Sequence, residues 1–448
     1  MNKINENELV FERFEALYPS RSWENEIKKL VGFISSGNSS EIIGFPGVGR
    51  SNLLGILSYN RACREHNLGD KQTQIHFILM NFTEMRKKNE LEVLKFFFLS
   101  IVDSLKERKM TEEAQRAQLL LKESFEIQDQ QVILQGLKKL VDYISIEKNL
   151  TLVFLIDRFE EYIPYVTPEF FTDLRALRNR AKYKFSVVFS VNRPFNELLD
   201  PATYFDINEF LDGNEIYLPL KDSASLNFRI GFLQMKSEEK ISLDKINEIL
   251  NLTSGHGKLT RLSIEALMEA EEVEDLKSFL LNRPKINSLF QEIWKGLTPS
   301  EQKYLTTFDS EFKSDYLEKI HLISEDKISI PLFEAFIDLQ KEKPTEISSE
   351  KITYNSDTHE IKDGEIVLSD LLTSSEYKLL RFMVENEGKI LERDEIINAV
   401  WKDLSSTAGV SEQALDQLIF RVRKKIEENP NSPTHLQTIK GRGFKFTS

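Results

Sequence analysis

Residues 41–57 read EIIGFPGVGRSNLLGIL. Glu41 to Gly44 is an apolar strand, Gly44, Gly47 and Gly49 punctuate the loop that follows, and Asn52 to Leu57 opens an apolar helix. Strand, glycine loop and helix in that order let backbone amides close around a phosphate, and the helix N-terminus adds positive potential. Ser51 stands where a hydroxyl can hold magnesium, and Asn52 follows it as a further candidate contact. Arg50 occupies the position where such loops usually carry lysine. Arginine keeps the charge but changes length and geometry, so it can pair with phosphate without reproducing lysine's part in catalysis.

Outward from the loop, Ile75 to Asn81, Leu150 to Asp157 and Phe185 to Asn192 are further strand-like runs separated by helical stretches. That alternation predicts an α/β domain with a largely parallel sheet, because strands buried on both faces read as continuous apolar runs. The run Leu152 to Asp157 ends in an aspartate placed to orient magnesium. The next residue is Arg158, where many hydrolytic proteins have an acid that activates water; Glu160 and Glu161 lie close by, and Glu160 is the candidate. Asn192 or Arg193, after the next strand, can sense a terminal phosphate. Lys258 or Arg261, in TSGHGKLTR at 253–261, can do so from a glycine-containing helix start. The plainer readings stay beside these: Asn-Arg is a common strand ending, and Gly-His-Gly commonly caps a helix.

Residues 222–283 read as mostly helical, and 284–340 as helix, helix and a short hairpin around Leu322 to Ile330, with a capping box at Thr298 and Glu301. Residues 341–351, KEKPTEISSEK, read as a polar linker. Beyond it, short strands at Lys351 to Tyr354, Glu360 to Lys362 and Glu365 to Leu368 precede three helices. The first begins with the capping pair Thr373 and Glu376, and the second covers Arg393 to Trp401. The third runs from about Ser411 to Glu428, with Leu415, Leu418, Ile419, Val422 and Ile426 as a buried stripe. Gln413, Gln417, Phe420, Arg421 and Lys424 are then expected on a solvated face able to enter a major groove. In LQTIKGRGFKF at 436–446, glycines allow a tight reversal with Arg442 at its tip for a minor groove, and Lys440 and Lys445 are placed for phosphate.

Three segments in order, LTSSEYKLLRFMVENEGKILERDEIINAVW, LIFRVRKKIEENP and LQTIKGRGFKF, resemble the effector domain of OmpR/PhoB-type response regulators. The resemblance implies a winged helix with the third helix as reader and the hairpin as wing. No phospho-acceptor receiver is read ahead of it, so its control is expected from elsewhere. The glycine loop, the strand ending in Asp157 and the 253–261 stretch resemble an AAA+/STAND (origin-recognition-like) P-loop ATPase with its helical lid, in which Asp157 belongs to a Walker B element. The resulting expectation is a multidomain α/β plus α chain: ATPase core at 1–221, lid at 222–283, small winged-helix module at 284–340, linker at 341–351 and DNA-binding winged helix at 352–448. ATP or ADP with Mg2+ is the implied cofactor. The substitutions at Arg50 and Arg158 make slow or absent hydrolysis as plausible as turnover.

The formal charge of −13 disfavours nonspecific adhesion to nucleic acid, so contact with DNA is expected on a local basic surface. From Ala414 onward the sign reverses, with seven basic residues against three acidic ones. No apolar run approaches a membrane-spanning length, no secretory signal is read, and Cys63 is the single cysteine, which together point to a reducing cytoplasm. The six histidines lack ligand spacing, and no hydrolase-type nucleophile motif is present. The leading expectation is a nucleotide-regulated DNA-binding protein that binds double-stranded DNA, with a second copy of itself (a homo-oligomer) or a partner protein as further candidate partners. The alternatives are an oligomeric ATPase of a defence or mobile-element system, and a scaffold whose winged helices dock proteins beside a relic loop.

Overall fold

The computed structural model describes residues 13–127, 129–236, 240–270, 273–341, 351–364, 366–401, 412–427 and 433–448. They form two compact units, one of Met1–Pro194 with Thr203–Leu289 and one of Phe195–Ala202 with Phe290–Ser448. Most of the expected linker, 342–350, lies outside the described residues, as does Glu365 of the third C-terminal strand.

In the first unit β1 (Ser40–Ile43), β2 (Ile75–Asn81), β3 (Thr151–Asp157), β4 (Phe185–Val191) and β5 (Glu215–Tyr217) form one parallel sheet in the order β2-β3-β4-β1-β5. Parallel neighbours need crossovers, which cover both faces and explain why β4 is buried along its whole length. The glycine loop follows β1, Asp157 closes β3, and Asn192 follows β4. All three stand at the carboxyl edge, where open α/β sheets bind ligands. β5, only three residues long, adds an edge strand that the apolar runs did not announce. Helices Ser223–Lys236, Leu243–Thr253, Gly257–Met268 and Leu276–Leu281 make up the helical stretch that follows.

Phenylalanine packing fixes the end of β3. Phe159 is fully buried, 4.9 Å from Phe189 and 5.6 Å from Phe170 between ring centroids. A buried ring of this kind is worth about 3–5 kcal/mol against alanine, so the turn Phe159–Glu161 is held down on the sheet with Glu160 facing the loop.

In the second unit, Thr298 and Glu301 make both bonds of the expected capping box at the start of Pro299–Thr307. The hairpin is β6 (Ile323–Ser324) with β7 (Lys327–Ile328), and helix Pro331–Lys341 follows it, an element the sequence reading did not separate. The C-terminal part begins with an antiparallel sheet of β8 (Ile352–Asn355), β9 (Glu360–Asp363) and β10 (Ile366–Val367). Helices Ser374–Glu385, Arg393–Trp401 and Glu412–Ile426 follow, then β12 (Leu436–Ile439) and β13 (Gly443–Phe446), with β11 (Ile390–Leu391) completing a second sheet in the order β11-β13-β12. Leu415, Leu418, Ile419, Val422 and Ile426 all enter one core with Ile396, Ile397, Val400 and Trp401. Thr373 and Glu376 make the second capping box.

Candidate nucleotide site and DNA-reading surface

The loop after β1 adopts a conformation only glycine tolerates at two points, with φ 89° at Gly47 and φ 123° at Gly49. A side chain at Gly49 would also strike the Trp23 ring at 2.7 Å, and one at Gly44 would meet Val48 at the same distance. Helix Arg50–Tyr59 starts directly from Gly49. Ser51 is exposed in its first turn, and half-buried Asn52 accepts the Trp23 indole N–H at 3.1 Å.

Arg50 is 7% exposed and makes a two-pronged pair with Glu160, Nη2 to Oε1 at 2.6 Å and Nη1 to Oε2 at 3.3 Å. The cation expected to meet phosphate and the acid expected to act on water therefore hold each other. Bidentate guanidinium–carboxylate pairs are among the stronger polar contacts, so phosphate must displace Glu160 to reach Arg50. Asp157 is buried at the end of β3, where its Oδ1 accepts from Ser190 Oγ at 3.1 Å and from Arg158 N–H at 3.0 Å. Arg158 takes the left-handed backbone region at φ 58°, which starts the turn carrying Glu160. Ser51 and Asp157 offer the oxygen donors that magnesium prefers, in the small number it accepts when phosphate and water supply the rest.

The 253–261 stretch is tied to the loop. His256 caps helix Gly257–Met268 by accepting Leu259 N–H on Nδ1 at 3.2 Å, so its Nε2–H donates to Pro46 O at 3.1 Å. It stacks on Phe45, and Lys258 N–H donates to Gly47 O at 3.0 Å. Burial brings the His256 pKa down to about 4, with Lys258 acting in the same direction, which keeps the ring neutral. Gly47, Gly49, Asn52, Lys258 and Arg261 share one cleft of about 180 Å³. The cleft is partly open to solvent and lies between the glycine loop and the start of helix Gly257–Met268. Gly44, Arg50, Ser51, Asp157, Glu160, Asn192 and Arg193 do not line this cleft. Arg261 is bonded to Glu265 at 2.9 Å.

Tyr18, Trp23, Lys221, Asp222 and Arg229 also line the cleft, and sequence reasoning missed them. Phe14 and Tyr18 pack on Phe228 and Phe232, so the segment before helix Glu24–Ser35 bridges loop and helical region. Two aromatics in LYPSRSW were the available signal.

In the C-terminal part the hairpin forms with its reversal at the expected glycines. Gly441 (φ 72°) and Gly443 (φ 124°) make the reversal, Arg442 N–H closes it on Ile439 O at 2.9 Å, and Lys440 and Arg442 are exposed. Lys445 is half-buried on β13. On helix Glu412–Ile426, Gln417 and Phe420 are exposed, and for Gln413 only its place in the helix is described. Arg421 departs from expectation. It was placed on a solvated face but is 5% exposed, because Nη1 donates to Leu199 O at 2.6 Å while Asp200 and Glu376 lie at 3.8 and 3.4 Å. Lys424 sits 3.9 Å from Glu197 and is partly covered. Two other cations of the basic run are also engaged: Arg423 donates to Leu436 O and Thr438 Oγ1, and Lys425 donates to Glu376 at 2.6 Å. Burial pushes the Asp200 pKa up, against the opposing pull of Arg421.

Among the described residues no metal-holding cluster of histidine, cysteine and acid occurs, and no helix is long and apolar enough to cross a membrane.

Residues 370–446 match the family model described as "Transcriptional regulatory protein, C terminal". Among curated proteins, PetR of Rhodobacter capsulatus is 32% identical over 103 residues, spanning 22% of this chain and 43% of its own length. RegX3 of Mycolicibacterium smegmatis is 38% identical over 75 residues, 17% of this chain and 32% of its own. The chain thus spans less than half the length of these two relatives. The alkaline phosphatase synthesis regulator PhoP of Bacillus subtilis is 28% identical over 208 residues, 41% of this chain and 82% of its own. Among solved structures, a Walker-type ATPase of Pyrococcus abyssi aligns with a TM-score of 0.45 at 13% identity, covering 73% of this chain and 97% of that one. The Aeropyrum pernix ORC1 protein in complex with DNA aligns at 0.36 and 12%, covering 98% and 92%.

Proposed function

Since the chain carries an OmpR/PhoB-type winged-helix domain at its C-terminal end, behind a parallel α/β unit with a phosphate-loop motif, we propose that it is a transcription regulator whose DNA binding is set by nucleotide. The observation carrying this reading is the wing: Lys440 and Arg442 are exposed on a glycine-turned hairpin beside a helix showing Gln417 and Phe420 outward. A helix in the major groove and a cationic loop in the neighbouring minor groove would divide sequence reading and shape reading between them.

The nucleotide half rests on the loop, Ser51, Asp157, Lys258 and Arg261. Bound Mg2+ would neutralise phosphate charge, and Ser51 and Asp157 are the residues that would hold it in this reading. Arg50 would exchange Glu160 for phosphate, and the His256 and Lys258 bonds to Pro46 and Gly47 would carry the change to helix Gly257–Met268. Because Arg50 occupies Glu160, binding rather than turnover is the working event in this reading. Two states with different nucleotide affinity then suffice for control.

The test is selection of duplex DNA from a random pool, followed by titration of the winning site with no nucleotide, ADP or ATP. Enrichment of a site, weakened by Arg442→Ala and shifted by nucleotide in the wild type but not in Ser51→Ala, is expected. A pool that never enriches removes the DNA reading, and nucleotide-blind binding removes the control. ATP-dependent rings with no site preference would favour the oligomeric ATPase instead.

A further inference from the structure

The C-terminal helix meets its own chain where it is expected to meet DNA. Residues 195–202 belong to the second unit and present three acceptors to the helix: the Leu199 carbonyl and Asp200 carboxylate at Arg421, and the Glu197 carboxylate at Lys424. A carbonyl beside anionic oxygens is the chemistry with which guanine edges and phosphates receive arginine and lysine. Helix Pro299–Thr307 also packs along Glu412–Ile426.

We propose that residues 195–202 are an internal stand-in for DNA, covering Arg421 and Lys424 until the segment is withdrawn. The inference rests on the DNA-binding reading above and adds how that surface is controlled.

The contact is built to be reversible. Arg421 Nε and Nη2, Asp200 Oδ2 and Glu376 Oε1 are all buried without a hydrogen-bond partner. A guanidinium taken out of water with most of its donors unmet recovers little of its desolvation cost from nearby carboxylates. Duplex DNA can supply the missing acceptors bidentately, so it can compete with the segment for this side chain. The segment also begins two residues after Arg193, the last residue of the candidate phosphate-sensing pair at the end of β4. A nucleotide-dependent shift there is transmitted through continuous backbone.

The experiment uses the full chain and the duplex enriched above, or a random duplex pool if none enriches, at fixed salt. Asp200→Ala with Glu197→Gln is expected to tighten binding roughly tenfold, the gain from uncovering a surface hidden in nine molecules of ten. Adding Arg421→Ala should cancel that gain. A zero-length carbodiimide cross-link between Lys424 and Glu197 in the wild type, lost on adding duplex, gives a second readout that needs no variant to fold. Wild-type binding that equals the double variant's, or a cross-link that persists in the DNA complex, overturns the cover while leaving DNA binding in place. No binding by wild type or any variant overturns both.

Discussion

Arg50 and Arg421, one in each unit, are both buried against acids. They are held differently. Arg50 meets Glu160 with two well-placed bonds, so that pair is satisfied as it stands. Arg421 makes one good bond and leaves two nitrogens unmet among carboxylates that are themselves short of donors. The difference is one of hydrogen-bond closure, and in the cover proposed above it is the unclosed pair at Arg421 that gives way.

The sharpest break of that comparison is Glu376, which caps helix Ser374–Glu385 and is the shared neighbour of Arg421 and Lys425. Glu376→Ala strips two cations of their nearest buried anion and should lower unfolding stability by about 3–5 kcal/mol in denaturant titration. A loss under 1 kcal/mol would mean that Asp200 suffices for Arg421.

Next comes His256. Its folded pKa of about 4 lies below the ordinary 6.5, so the unfolded chain binds the extra proton between those values. Stability therefore rises with pH through that window and is lost as pH falls from 6.5 to 4, by on the order of 3 kcal/mol for this group. His256→Asn, which can still cap the helix, should flatten the wild-type difference between pH 4 and 6.5 when the two melting profiles are subtracted. Parallel profiles would show that the ring is not a neutral buried latch.

Glu160→Gln should have the smallest effect on stability, about 1.5–3 kcal/mol for the weakened charge-assisted bonds. It should nevertheless raise ATP affinity, measured by calorimetry, because Arg50 is released toward phosphate. Weaker ATP binding in the variant would show instead that Glu160 positions Arg50 for nucleotide.

Elements governed by local rules were legible. Continuous apolar runs marked β2, β3 and β4, the stripe Leu415 to Ile426 marked the last helix, and both capping boxes formed at the threonines that announced them. β5 was missed because three residues carry no period, and helix Pro331–Lys341 because the hairpin before it dominated the reading. The candidate sites were legible as residues but not as partners. Glu160 lies 110 positions from Arg50, and Leu199 lies 222 from Arg421. No spacing rule reaches that far: an exposed cation and a sequestered one look identical in sequence when the masking group comes from a remote part of the chain.

Glu427, the last described residue of the C-terminal helix region, is buried and accepts three backbone amides from the chain entering β12: Thr434 at 2.7 Å, His435 at 2.9 Å and Leu436 at 2.6 Å. One carboxylate thereby welds the hairpin to the helix end, with Arg423 bracing it from one turn back. Helix and hairpin must travel as a single gauge of set width. A duplex whose adjacent grooves are spread or pinched away from that width would have to be reshaped before it could be gripped at both points, so the stiffness of the operator's flanking steps would count toward affinity even where no side chain touches them.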